Sequence, residues 1–158
     1  MSVDENVLVS IARAAGRAKL DFVLVGNAAA ALQDAPVMTR DFDLFVRDTP
    51  RNRQKIKLMA ELLNGALTEP YEPLSRMLRI VGGDAPVDFV FGLSSHRRFE
   101  SVRSRASRLK LGGQEILVAS LADIIAAKEA AGRPKDKATL PILRDTLRTQ
   151  QEMEKTTR

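Results

Sequence analysis

Asp41 and Asp43 stand two apart in the strand-like run Arg40 to Arg47, and no other feature constrains the fold of this chain so tightly. Alternate side chains of a strand share a face, so both carboxylates project with Phe45 from one side and Phe42, Leu44 and Val46 from the other. A third acid, Asp88, lies in a second strand-like run, Pro86 to Phe91. A neighbouring strand that carried it would set three carboxylates side by side. Such a cluster repels itself unless a hard cation sits within it, and Mg²⁺ bound through carboxylates and substrate phosphates is the usual solution. The chemistry this suits is transfer of phosphoryl or nucleotidyl groups.

Around that pair the pattern predicts alternating helices and strands. Val3 to Lys19 has apolar residues at helical spacing, and Asp21 to Val25 is a short buried strand ended by Gly26-Asn27. Ala28 to Leu32 favours a helix whose small side chains allow close packing on a sheet. Pro50 suits the first turn of a helix that continues to Leu63. Met77 to Val81 and Val87 to Phe91 form a hairpin about Gly82-Gly83-Asp84, and Arg108 to Leu111 and Glu115 to Val118 another about Gly112-Gly113. Phe99 to Ala106 fits either element. Ser120 caps a helix through Ala131, and Pro134 starts a last helix to about Gln150. The expected class is α/β (α+β), a mixed β-sheet flanked by helices and followed by C-terminal helices. Residues 1–150 form one domain and 151–158 a polar, frayed tail.

Charge adds a second constraint. Arg97, Arg98, Arg103, Arg105, Arg108 and Lys110 face only Glu100 within their segment, a surplus equal to the whole chain's net charge of +5. Arg47, Arg51, Arg53, Lys55 and Lys57 make a second group. Such fields attract phosphate backbones, so an RNA surface is expected at the first segment. The chain has no cysteine and one histidine, His96, which removes disulfides and thiolate or histidine-rich zinc sites. No apolar run reaches membrane-spanning length and the first residues lack a signal peptide's pattern, so a cytoplasmic location is expected.

The order Val25-Gly26-Asn27, helix, Thr39-Arg40-Asp41-Phe42-Asp43-Leu44 and then Val87-Asp88-Phe89 resembles the polymerase-β-like nucleotidyltransferase superfamily. The segment Val118 to Lys128, followed by Gly132-Arg133-Pro134-Lys135-Asp136, resembles the close of its AbiEii-type toxin branch. That resemblance implies Asp41, Asp43 and Asp88 as ligands of Mg²⁺ (or Mn²⁺), with Asp88 alternatively the base. It implies Lys128 as a catalytic cation on the nucleotide phosphates. Gly26, Asn27, Thr39, Lys128, Arg133 and Asp136 would make the nucleotide site. The implied reaction transfers a nucleotide from an NTP such as ATP to an RNA acceptor, for instance the tRNA 3′ end, under restraint by a cognate antitoxin.

Three positions depart from the pattern: Asn27 where Gly or Ser is usual, Val37 where an arginine is common, and Thr139 where a second acid follows Asp136. All three bear on nucleotide grip and selectivity. Two other functions stay open: a transferase that modifies a protein or small molecule, and a catalytically silent RNA-binding or antitoxin homologue.

Overall fold

The computed structural model describes residues 3–70 and 76–157. Helix α1 (Glu5–Ala18) starts on Asp4, whose carboxylate accepts from the Val7 N–H, and buries Leu8, Ile11, Ala12 and Ala15. Strand β1 (Val23–Val25) runs directly into α2 (Gly26–Ala31), whose four alanines are all buried. After a connector come β2 (Asp43–Phe45) and α3 (Pro50–Leu62), the latter capped by Thr49 with proline at its first position as expected. Strand β3 (Ala66–Thr68) was not expected from the sequence. The two hairpins are present as β4 (Met77–Val81) with β5 (Val87–Val90), and β6 (Ser107–Leu111) with β7 (Gln114–Val118).

The ambiguous stretch between them is helix α4 (Phe99–Arg105), with Phe99 and Val102 buried. Helix α5 (Leu121–Ala131) is capped by Ser120 and stopped by Gly132 in the left-handed region. Helix α6 (Pro134–Thr156) runs six residues beyond the predicted end at Gln150, so residues 151–156 continue the helix. None of the helices among the described residues is long and apolar enough to cross a membrane.

The seven strands form one mixed sheet in the order β3-β4-β5-β2-β1-β7-β6. Strand β2 lies near its middle, parallel to β5 and antiparallel to β1. Register then decides everything at the site. Leu24, Leu44, Phe89 and Leu78 are cross-strand partners in one row, and the first three are wholly buried. Each such side chain contributes roughly 1.5–3 kcal/mol by leaving water. One residue along the strands, on the opposite face, the row reads Val25, Asp43, Asp88, Arg79. The apolar row fixes the register, because a slip of one residue would bury the charged row in its place.

Candidate nucleotide-transfer site

Asp43 opens β2 and faces Asp88 of β5 across a parallel ladder. Asp41 precedes the strand in a turn fixed by Thr39, whose hydroxyl donates to the Asp41 carbonyl and accepts from its N–H. All three acids line one cavity of about 560 Å³. The clustering marks Asp43, whose carboxyl is raised from 3.8 to about 6. Burial is the main cause, Asp88 and Asp41 add to it, and Lys128 and Lys135 pull the other way.

The Gly26-Asn27 turn forms the adjoining wall. Gly26 has φ +73°, and a Cβ there would stand 2.6 Å from Asp43 Oδ2. Glycine is therefore required twice, by backbone conformation and by closeness to the carboxylate. Gly26→Ala is expected to cost about 2 kcal/mol of stability, combining left-handed strain with displacement of Asp43. A denaturant titration would measure it, and a loss below a few tenths of a kcal/mol would show that the wall yields freely. Beside Gly26, Asn27 Oδ1 is the one buried side-chain oxygen or nitrogen without a hydrogen-bond partner among the described residues. A buried acceptor of that kind is costly unless a ligand or water donates to it.

The cationic wall comes from the junction of α5 and α6. Asp136 is wholly buried and accepts from the Arg133 N–H at 3.2 Å and Nε at 2.7 Å, closing a capping box. Lys128 Nζ lies 3.6 Å from Asp136 Oδ1. Lys128, Arg133, Lys135 and Thr139 line the cavity, whereas Asp136 does not. Asp136 thus sits behind the expected nucleotide site and orients the cations that face it. Burial lowers the Lys128 ammonium below its ordinary value, and Asp136 draws it partly back.

Gly26, Asn27, Thr39, Asp41, Asp43, Asp88, Lys128 and Arg133 are brought together as the sequence suggested. The sequence reading missed Arg79, whose Nε and Nη2 bond the two Asp88 oxygens at 2.7 and 3.1 Å. It also missed Lys135 and a more apolar wall containing Leu93, Ile124 and Ala127. The carboxylates are the oxygen donors that suit a hard dication, and the unneutralised charge around Asp43 favours one there. Asp41 and Asp43, with Asp88, would hold it. Yet no group of three acids among the described residues is gathered closely enough to hold one ion, and Asp88 is engaged by Arg79.

The basic segment is arranged differently from a simple charged surface. Arg97 and Arg105 both bond Asp123, which is buried, at distances of 2.8–2.9 Å. Arg103 pairs with Asp21 and Arg108 with Glu115. Among the described residues only Arg98 and Lys110 of the six are exposed without an ion pair. In the second group Arg47 pairs with Asp21 and Glu100 and lies over the Phe99 ring, itself edge-on to Phe45.

No protein-family model and no curated protein sequence matches the chain. Solved structures do match it. The solution structure of the antibiotic-resistance factor ANT(2″)-Ia aligns with TM-score 0.64 over 97% of this chain and 91% of that one, at 15% identity. The same factor in complex with adenylyl-2″-tobramycin aligns with TM-score 0.63 over 90% and 88%, at 17% identity. TM1012, a candidate nucleotidyltransferase of Thermotoga maritima, aligns with TM-score 0.56 over 86% and 89%, at 18% identity. The fold is that of a nucleotidyltransferase. Within the nucleotidyltransferase fold the carboxylate row lies on the central strands, with the α2 turn and the α5–α6 junction facing it across the cavity.

Proposed function

We propose that this protein is a metal-dependent nucleotidyltransferase that moves a nucleoside monophosphate from an NTP to an acceptor hydroxyl. One observation carries the reading: within this fold Asp41, Asp43 and Asp88, the Gly26-Asn27 turn and the Lys128–Arg133 wall line one cavity. Asp41, Asp43 and Asp88 would hold Mg²⁺ or Mn²⁺, which would neutralise charge on the triphosphate during transfer. Lys128 and Arg133 bind phosphate oxygens and hold the chain of phosphates in line. Gly26 lets the substrate approach the backbone beside Asp43, and the Asn27 amide oxygen accepts a hydrogen bond from an N–H or O–H of the substrate. The acceptor oxygen bonds to the α-phosphorus, the bond to the β-phosphate oxygen breaks, and pyrophosphate leaves. In the alternative to its place on the metal, Asp88 takes the hydroxyl proton.

The cavity favours a small hydroxyl-bearing acceptor. Four of the six cations expected to hold RNA are engaged in ion pairs within the chain, and ANT(2″)-Ia, of like fold, is seen with an adenylylated small molecule. A second reading follows the AbiEii-type resemblance: a toxin that modifies an RNA such as the tRNA 3′ end and is held in check by a cognate antitoxin. The exposed Arg98 and Lys110 and the net charge of +5 support it.

The test is incubation with each α-labelled NTP, with Mg²⁺ or with EDTA, against total tRNA and a panel of polyhydroxylated small molecules. Label should move from at least one NTP in Mg²⁺ and stay put in EDTA. A labelled small molecule supports the first acceptor reading and labelled tRNA the second. Absence of transfer, joined to absence of NTP binding by calorimetry, would leave a silent homologue and end the proposal.

A further inference from the structure

We propose that Arg79 is a built-in cation that occupies the third carboxylate until the triphosphate draws it away, so that Asp88 joins the metal site only when nucleotide is bound. The inference rests on the nucleotidyl-transfer reading above. Its starting point is the register of the β4–β5 hairpin, which makes Arg79 and Asp88 direct cross-strand partners. The guanidinium meets both carboxylate oxygens, at 2.7 and 3.1 Å, in the two-pronged geometry that is the strongest form of this contact.

Two features distinguish the pair from an ordinary surface ion pair. Both partners line the cavity that holds Asp41, Asp43 and Lys128. The Arg79 side chain is also 45% exposed while that of Asp88 is 16% exposed, so the cation is the outer and more accessible member. The fields of Asp41 and Asp43 also favour the guanidinium's charge, after the larger effects of its hydrogen bond to Asp88 and that carboxylate's charge. One arginine thus partly offsets the charge of the whole acidic row.

A dication and a guanidinium compete for the same oxygens and repel each other. With Arg79 seated, Asp41 and Asp43 are the carboxylates open to a metal. A triphosphate offers the same planar fork another set of oxygens, because a guanidinium recognises phosphate as readily as carboxylate. The long side chain can swing while its strand stays paired. Nucleotide binding would then release Asp88 to the metal. By linkage, metal and nucleotide each tighten the other's binding.

The experiment measures Mn²⁺ binding directly, by electron paramagnetic resonance or calorimetry, with and without a non-hydrolysable NTP analogue. Without nucleotide, Arg79→Gln is expected to bind Mn²⁺ about tenfold more tightly than wild type, and Arg79→Lys about threefold, since lysine keeps the charge but loses the fork. The analogue should tighten Mn²⁺ binding strongly in wild type and much less in Arg79→Gln. Thermal midpoints verify that both variants are folded, and Arg79→Lys carries the comparison if Arg79→Gln is not. Equal or weaker nucleotide-free Mn²⁺ binding by the folded variants, with wild-type binding intact, overturns the role of Arg79 alone. Failure of wild type and every variant to bind Mn²⁺, even with the analogue, overturns the nucleotidyl-transfer reading and this inference with it.

Discussion

Asp43→Asn is expected to lower kcat/KM for nucleotidyl transfer by about a thousandfold or more while making the protein more stable at pH 8. Asparagine nearly matches aspartate in shape, so β2 and its register with Asp88 should persist. What disappears is a charge. The Asp43 carboxyl is raised from 3.8 to about 6 by burial and by its acidic neighbours, so the folded protein holds that proton more tightly than the unfolded chain does. The stability linked to the proton is fully present below the unfolded value near 4. It is lost as pH rises through about 6, leaving the ionised group at a cost of about 3 kcal/mol at pH 8. Asparagine avoids that cost. Urea titrations in metal-free buffer should therefore show the variant ahead of wild type at pH 8 and the two converging at pH 4. Added Mg²⁺ should raise the midpoint of wild type and leave the variant where it was. A variant that is less stable at pH 8, or that keeps near-normal transfer, would remove Asp43 from the centre of the site.

Asp43 and Asp88 were legible because each stands in a short strand-like run, but Asp41 lies in the turn before β2 rather than on the expected strand, and the parallel pairing of β2 with β5 that joins the two acids joins segments distant in sequence. The β4–β5 hairpin, folded about Gly83 and Asp84, places Arg79 opposite Asp88, a partner already contained in the alternation of its two strands. Short elements were harder. Strand β3 has three residues, two of them exposed, and shows no usable alternation. Helix α4 buries only Phe99 and Val102, a single helical spacing. The apolar stripe of the last helix fades at Gln150, which marks its expected end, but Glu, Met and Lys are good helix formers and carry it to Thr156 without a core face. Charge counting misled most where partners are distant in sequence. Nothing near Arg97 or Arg105 signals that Asp123 will pair with both, or that Asp21 will take Arg103.

Asp136 shows how a motif residue can serve the site from behind it, and Asp136→Ala should cost about 3–5 kcal/mol of stability while loosening the nucleotide. Its carboxylate is completely buried, and its two oxygens hold the Arg133 N–H, the Arg133 guanidinium and the Lys128 ammonium. Burial alone would raise this carboxyl, but Arg133 and Lys128 outweigh it and hold the carboxyl below its ordinary value. The linked stability is therefore present above about pH 4 and lost as pH falls through the depressed value. Alanine removes that acid limb and also leaves Lys128, only 13% exposed, without its counter-charge. Burial already lowers the Lys128 ammonium, so loss of Asp136 lowers it further. The alkaline arm of the pH–rate profile should then move to lower pH. KM for the NTP should rise more than kcat falls, because what is lost first is a positioned phosphate contact. A purely structural role would reduce stability and leave both the profile and KM unchanged in the folded fraction. Asp136→Asn separates the two effects, since its one amide oxygen can still accept from the Arg133 N–H and Nε while the charge that holds Lys128 is removed.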